Sequence, residues 1–600
     1  MRVHYPRTPH LPWSPGAAAD DVRTGDLTAL TGAEVVVTEK LDGENTTLYS
    51  DGLHARSLDS AHHPSRAWVK GLQGRIGGRI PDGWRICGEN LFARHSIPYT
   101  DLESWFYGFS VWTDRDRCLD WDDTVRFLRR LGVPAPRVLW RGRYDERALR
   151  ALKLDLDRQE GYVVRTVRGF DRAEFGERVA KWVRPHHVRT DTHWMHAAVV
   201  ENGLGPASAL WSVRSGALPE LSALAAALGI PELTCRPEEP AEVSARLDEL
   251  GRGGDARLAG VLATVLRAGP RQYPAARLAG PLGLPLARRV ADLVALHPGL
   301  HRPYPDEDRR AGLVRLSCAA DLDVLHAVAA AAAPGTAERE QVAWSALHAE
   351  DAGLLDDDGG PLARLRSGLR EALAGLDRDA ADRCWAQARE AYARGRISTA
   401  EEAVAATWRL RDGRFPRLLH LCGPSGSGKS TFAAGLTGVA TRISLDDLRA
   451  ARGSRADQRD NAVVLREGLA RLDAALAAPS APGAPGEPGA FGASSASSAF
   501  GAFGATVVWD ATSLNRQQRS HVHAVAQRRD ALVTQVVLVV DEDELLRRNA
   551  VRPHPVPADV LTAQLHRFSP PHAGQAHRTW YVGAGGTVED TAGTLDAEED

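Results

Sequence analysis

The apolar positions of this chain fall into three textures, and each predicts a different kind of element. Near the start, Val35-Val36-Val37-Thr38 is an unbroken β-branched run followed by the turn residues Asp42-Gly43, the mark of a buried strand. Further strand-like runs at 85–87, 106–112 and 161–167 are separated by short turns, so residues 1–205 read as an α+β domain. From 206 to 404, Ala, Leu and Arg recur at helical spacing, as in Leu221-Ser222-Ala223-Leu224-Ala225-Ala226-Ala227-Leu228 and again over 319–333, which predicts an all-α domain. After Arg411-Asp412-Gly413-Arg414 a strand at 418–421 opens a third domain, α/β in character, over 405–600. A stretch rich in Ala, Pro, Gly and Ser at 477–504 interrupts it and reads as a flexible surface insertion. The acidic Glu598-Glu599-Asp600 end reads as a disordered tail.

Composition supports this multi-domain picture and narrows the function classes. With 600 residues, 43% of them apolar, the chain has material for roughly three or four cores. A formal charge of −3 excludes a uniformly basic nucleic-acid coat but leaves room for local basic grooves. The six cysteines, Cys87, Cys118, Cys235, Cys318, Cys384 and Cys422, include no C-x-x-C pair and lie far apart, so neither a zinc cage nor a disulfide framework is expected, and a reducing cytoplasm fits. There is no run of about 18 apolar residues, and the N-terminus leads into Pro-rich sequence, so no membrane or export segment is expected.

The first candidate site centres on Lys40, in Glu39-Lys40-Leu41-Asp42-Gly43-Glu44-Asn45, at the end of the first strand with its amine aimed into a site. Such an amine attacks phosphorus once deprotonated, and burial or a nearby cation lowers its pKa toward neutrality. Downstream stand Arg56, then Glu89 in Cys87-Gly88-Glu89-Asn90, Phe106-Tyr107-Gly108-Phe109, Glu160 in Glu160-Gly161-Tyr162-Val163-Val164-Arg165, and Lys181 in Ala180-Lys181-Trp182-Val183-Arg184. This ordered series resembles the motifs of covalent nucleotidyltransferases, most closely the ATP-dependent RNA ligases. The resemblance implies that Lys40 attacks the α-phosphate of ATP to give a lysyl-AMP. In that scheme Lys181 faces the charge developing on the phosphoryl oxygens, and Glu89 and Glu160 serve Mg²⁺ (or Mn²⁺) and the ribose hydroxyls. Phe106 or Phe109 stacks on adenine, and Arg56 holds a phosphate. Taken singly, Arg56 and Glu89 would serve as well in surface ion pairs, and the phenylalanines as core; their order along the chain favours the site. The last motif often carries a second basic residue where this chain has Val183, with Arg184 as the available substitute. His186, His187, His193 and His196 have no clean ligand spacing and read as a solvated segment that contacts RNA.

The second candidate site is Gly423-Pro424-Ser425-Gly426-Ser427-Gly428-Lys429-Ser430-Thr431, a phosphate-binding loop between a predicted strand and helix. Its glycines, Gly423, Gly426 and Gly428, let backbone N–H groups wrap phosphates, Lys429 reaches the β and γ oxygens, and Ser430 ligates Mg²⁺, so ATP or GTP binds here. Three further segments, Asp446-Asp447-Leu448-Arg449, Val507-Val508-Trp509-Asp510 and the helical Arg548 to Arg552 face, complete a pattern similar to the polynucleotide 5′-kinases of phage and bacterial RNA repair. That resemblance implies Asp446 as general base toward a 5′-hydroxyl, Arg449 on a phosphate of the acceptor strand, Asp510 on the substrate side, and Arg548 with Arg552 as a lid over the donor phosphates. The bland alternatives are a helix N-cap for Asp446 and an exposed basic face for the arginines.

The all-α region has the texture of an HD-type phosphohydrolase without its metal signature. Leu266-Arg267-Ala268 stands where Leu-His-Asp is needed, and His297 with His301 cannot form a two-metal site, so a structural remnant is expected. Together the motifs predict an RNA repair enzyme whose kinase makes the 5′-phosphate that its ligase joins to a 3′-hydroxyl. A DNA ligase or capping guanylyltransferase shares the first-site motifs, but no all-β segment suited to an OB-fold follows Lys181. A sensor that binds nucleotide and RNA without turnover is the alternative of another class.

Overall fold

The structure is a computed structural model that describes residues 2–596 except 20, 59–62, 186–197, 232, 234, 237, 268–273, 304–307, 356–359, 454–458, 479–504 and 553–554. The four histidines 186, 187, 193 and 196, nearly all of the 477–504 stretch and the acidic end lie outside the described residues. The chain forms two compact units, Met1–Val261 and Leu262–Asp600. Among the described residues no helix is long and apolar enough to cross a membrane.

In the first unit, β1 (Glu34–Lys40), β2 (Glu44–Tyr49), β3 (Gly52–Ala55), β4 (Arg85–Asn90), β5 (Phe106–Trp112), β6 (Arg117–Cys118), β7 (Val138–Arg143), β8 (Gly161–Thr166), β9 (Phe170–Asp171) and β10 (Val179–Val183) build two antiparallel sheets. Their orders are β10-β8-β1-β7 and β3-β2-β4-β5-β6-β9. The unbroken apolar run of β1 is explained by burial on both faces: Val35 and Val37 pack with Leu11, Leu30, Tyr162 and Val164, whereas Val36 packs with Trp121 and Val167. The second sheet buries Leu48, Ile86, Phe106 and Val111 under the helices Ala67–Ile76 and Trp121–Leu131. A bulge between Cys87 and Gly88 leaves Phe109 as the extra residue of β5, so the strand changes face there. Phe106 consequently lies in the helix-covered core, and Phe109 packs on the other face with Tyr5, Cys87 and Val163 of β8. The unit also holds the helices Ser208–Arg214, Leu221–Leu228 and Glu238–Glu249.

The second unit begins with helices, among them Leu284–Leu296, Arg309–Ser317, Leu322–Ala331, Thr336–Asp351, Gly360–Ala372 and Arg378–Ala393, and continues into a six-stranded sheet. Its strands β11 (Arg417–Cys422), β12 (Val439–Ser444), β13 (Thr506–Asp510), β14 (Leu532–Leu538), β15 (Arg578–Val582) and β16 (Val588–Ala592) are ordered β12-β13-β11-β14-β15-β16. All neighbours are parallel except β15 and β16. Both sheet faces are covered, Leu419, Val508 and Val536 on one side and Leu418, Val507 and Val533 on the other, which is why these strands read as apolar throughout. The helix Arg378–Ala393 and the sheet share a core of Cys384, Trp385, Ala388, Phe415, Leu532 and Leu595. The fold class is thus multi-domain: an antiparallel α+β region, a helical stretch and a largely parallel α/β region.

Candidate active sites

β1 delivers Lys40 to a cleft between the two sheets of the first unit. Thr38 pairs with Val163, which pairs in turn with Lys181, and Lys40 pairs with Gly161, so Thr38, Lys40, Val163 and Lys181 share one face. That face looks onto the Cys87 side of β4, and the two-residue period puts Glu89 on the same side. The turn after Lys40 is pinned: Asp42 Oδ2 accepts from the N–H groups of Ser96 (2.8 Å) and Ile97 (2.9 Å), and the Asp42 N–H donates to Tyr99 Oη at 3.0 Å. A Cβ at Gly43 would come within 2.5 Å of the Asn90 carbonyl, so only glycine allows this approach. Glu44 has a structural role, paired with buried Arg66, whose Nε donates to it at 2.8 Å.

Lys40 Nζ lies 2.5 Å from Glu160 Oε2, with the two side chains 22% and 9% exposed. Glu89 Oε1 accepts from the Gly43 N–H at 3.2 Å. Burial pulls the Lys40 pKa down, but Glu160 and Glu89 outweigh it, and the net shift is upward. This corrects the expectation of a lysine lowered by burial: in this state the amine is a firmly held ammonium. Burial pushes the Glu89 carboxyl up to about 8 against the pull of Lys40, with Glu160 adding to the rise. Two hard oxygen donors with one buried enough to hold its proton near neutral pH fit a site for a divalent cation, which would supply the missing positive charge. Lys181, lowered by burial and then by Lys40, is the lysine that the site makes easier to neutralise.

Arg56 stands exposed just beyond β3 and contributes to the lowering of Lys181. Phe109 is half-buried on the Cys87 side of the sheet with the Tyr5 ring edge-on at 5.2 Å, whereas fully buried Phe106 cannot stack on a ligand there. Arg184 does not replace the basic residue missing at Val183: it is 3% exposed and donates to the Leu156 carbonyl. The N-terminal segment lies there instead. Lys181 N–H donates to the Pro9 carbonyl at 2.9 Å, Leu11 N–H to the Lys181 carbonyl at 2.8 Å, and Val183 N–H to Ser14 Oγ at 3.0 Å. This sets His10 beside Lys181, with His10 Nε2 3.4 Å from Asp21 Oδ2 and Asp21 acting in turn on Lys181. The Pro-rich segment has no strand periodicity, so only the pairing reveals it.

In the second unit β11 runs straight into the phosphate loop, where Gly423, Gly426 and Gly428 adopt φ of +154°, +86° and +95°. Lys429 Nζ donates to the carbonyls of Gly423 (2.8 Å) and Pro424 (2.7 Å). Burial lowers its pKa to about 8 against the pull of Asp510 and Asp446, with Arg552 adding to the lowering. Ser430 Oγ donates to Asp510 Oδ2 at 3.0 Å, which brings together two hard oxygen ligands suited to Mg²⁺. Asp510, read from sequence as a substrate contact, thus lies beside Ser430 at the end of β13. Thr431 is exposed on the first turn of the helix Lys429–Ala434. Asp446 is 70% exposed and accepts from Arg449 at 2.6 Å, while Ser444, the N-cap of the helix Leu445–Ala450, takes the capping role considered for Asp446. Arg548 is the side chain nearest a Cβ placed on Gly428, at 3.7 Å, and is held by Glu544 (2.6 Å) and the Ala584 carbonyl (2.8 Å).

Two residues here escaped the motif reading. Arg442 of β12 pairs with Asp510, its Nε at 3.1 Å, and so puts positive charge on the same carboxylate as Ser430. Gln564 Oε1 accepts from the loop N–H of Ser425 at 2.8 Å. Neither lies in a motif, and both contacts depend on tertiary packing. Elsewhere, His297 Nδ1 and His301 Nε2 bond to the carbonyls of Leu293 (3.2 Å) and Ala329 (2.8 Å). Among the described residues no group of three or more His, Cys, Asp or Glu could hold a metal by itself.

Residues 33–183 match the family model described as RNA ligase, and residues 418–571 the one described as AAA domain. Among solved structures, a gluconokinase from Sinorhizobium meliloti 1021 is similar over 28% of this chain and 84% of that one, at 21% identity and a TM-score of 0.19. A Naegleria gruberi RNA ligase solved with ATP and Mn is similar over 26% of this chain and 51% of that one, at 17% identity and a TM-score of 0.20. Another structure of that ligase, with AMP and Mn, matches over 30% and 62%, at 15% identity and a TM-score of 0.21. The matched region thus spans about half of the ligase in the first of these structures, 51%. No curated protein sequence matches the chain.

Proposed function

We propose that this chain heals and seals RNA ends in two steps, phosphorylating a 5′-hydroxyl at the phosphate loop and then joining the 5′-phosphate to a 3′-hydroxyl through AMP carried on Lys40. The observation that carries the reading is the Lys40–Glu160–Glu89 group, set on one cleft with Lys181 inside the region that matches RNA ligases. Lys40 must lose its proton to attack, and the carboxylates that hold the proton are also the donors suited to Mg²⁺ or Mn²⁺. Cation binding would relieve their pull on Lys40, while Lys181 faces the charge on the phosphoryl oxygens. Phe109 is the aromatic wall available to adenine, and Arg56 the exposed cation for a phosphate. In the kinase, Asp446 accepts the proton of the 5′-hydroxyl, Arg449 holds the acceptor phosphate, Lys429, Arg548 and Arg552 bind the donor phosphates, and Ser430 with Asp510 holds Mg²⁺.

In this reading residues 1–205 are the ligase domain, 206–404 a helical domain without phosphatase activity, and 405–600 the kinase, working on broken RNA in a reducing cytoplasm. The test is incubation with α-labelled ATP, followed by denaturation. Label retained by the wild type and lost in Lys40→Ala is expected; no retention under any metal or pH condition would overturn the ligase. Supplying γ-labelled ATP with 5′-hydroxyl RNA and with 5′-hydroxyl DNA tests the kinase and its choice of acceptor, with label expected on RNA.

A further inference from the structure

In the second unit, the helix Arg309–Ser317 and the end of the helix Arg378–Ala393 line an open surface cavity of about 440 Å³ outside both sites described above. Its wall carries three arginines, and each is held in place by protein groups that leave donors unused. Arg315 donates through Nε (3.2 Å) and Nη2 (2.8 Å) to Glu390, and Arg394 donates through Nε to the same carboxylate at 2.6 Å. Arg310 donates through Nη1 to the Tyr392 carbonyl at 3.1 Å, and its guanidinium lies 4.8 Å from the Tyr392 ring centre. These bonds use neither Nη group of Arg394, nor Nη1 of Arg315, nor Nη2 of Arg310. The exposures of Arg315 and Arg394, 46% and 48%, keep them accessible.

We propose that this cavity is an RNA-binding subsite that takes the phosphodiester backbone of the strand whose end is being repaired. Fixed guanidinium forks with free N–H donors match phosphate oxygens. Among the residues lining the cavity the apolar ones are alanines, with no ring on which a base could stack, so it suits the sequence-independent backbone and not a free nucleotide. Asp308 at the rim opposes the binding of an anion. The proposal rests on the reading of RNA as substrate and adds a place where the strand is gripped away from its reacting end.

The test uses the full chain and a 5′-hydroxyl RNA of about 20 nucleotides, followed by fluorescence anisotropy across a salt series. The double variant Arg310→Ala/Arg394→Ala is expected to weaken binding about tenfold and to flatten the salt slope by one to two, because each lost phosphate contact removes about one unit. Asp308→Asn, a change at an exposed rim position, is expected to tighten binding about twofold and covers the case in which the double variant misfolds. Kinase turnover on a nucleoside 3′-monophosphate, too short to reach the cavity, should be unchanged. Inorganic phosphate as competitor separates the sources of the anion: displacement of wild-type RNA at low millimolar phosphate would show a free-phosphate site and overturn the proposal. Unchanged affinity and salt slope in both variants would overturn it while leaving the enzyme reading intact. A wild type that binds no RNA would overturn both.

Discussion

Glu89 is the residue whose chemistry the fold changes most. A carboxyl raised to about 8 keeps its proton in the folded protein at a pH where the unfolded chain has lost it. Between the ordinary carboxylate value and about 8 the native state therefore binds more protons, and stability falls as pH rises through that window, by about 1.4 kcal/mol per unit for a single such group. Glutamine mimics the protonated form without this penalty. Glu89→Gln is accordingly expected to melt higher than the wild type in metal-free buffer, with the gap widening from pH 6 to pH 8. Adding Mg²⁺ or Mn²⁺ should narrow the gap, since a cation on the carboxylate stabilises the wild type alone. Thermal melts at the two pH values, with and without metal, decide it; a gap that closes as pH rises would mean that Glu89 is ionised in the fold. The same variant should lose lysyl-AMP formation, so the residue would combine a cost in stability with a gain in chemistry.

At the scale of elements, the helix Arg378–Ala393 is fastened to the sheet by charges that no hydrophobic pattern displays. Asp379 accepts from Arg417 at the start of β11 and forms an ion pair with Arg578 of β15 at 2.7 Å, and Asp382 accepts from Arg578 at 2.8 Å; all four side chains are at most 3% exposed. Removing Asp379 strands the buried Arg417 guanidinium and leaves Arg578 with Asp382 as its carboxylate, so Asp379→Ala should destabilise the second unit by about 3–5 kcal/mol. Urea melts should show this as a lower midpoint, and a loss under 1 kcal/mol would mean that water reaches the network. The example also marks what was legible in the sequence. Runs such as 35–38 and 418–421 gave their strands away because both faces are apolar, and the phosphate loop because its chemistry is local in sequence. The Lys40–Glu160 pair bridges 120 positions, so the string around Lys40 could not disclose that its amine is held charged. Phe106 and Phe109 looked equivalent until the bulge sent them to opposite faces, and Arg442, Gln564 and the N-terminal segment reach their sites through pairings that lie far apart in the chain.

For the whole molecule, what matters is whether the two sites must act within one chain. Lys40 lies in the first compact unit and Lys429 in the second, each beside carboxylates of its own unit. In the proposed function the product of one is the substrate of the other, and a 5′-phosphorylated RNA is a stable molecule that can leave. Full-length Lys40→Ala should therefore convert 5′-hydroxyl RNA into 5′-phosphorylated RNA that accumulates unsealed. Full-length Lys429→Ala should seal RNA that already carries the 5′-phosphate and fail on 5′-hydroxyl ends. A mixture of the two should restore sealing of 5′-hydroxyl, 3′-hydroxyl RNA, at a rate that depends on RNA and protein concentration because the intermediate diffuses between molecules. Gel analysis of end-labelled stem-loops separates the outcomes. If the mixture fails where each variant performs its own step, the intermediate is passed within a single chain, and the covalent link between the units is part of the chemistry.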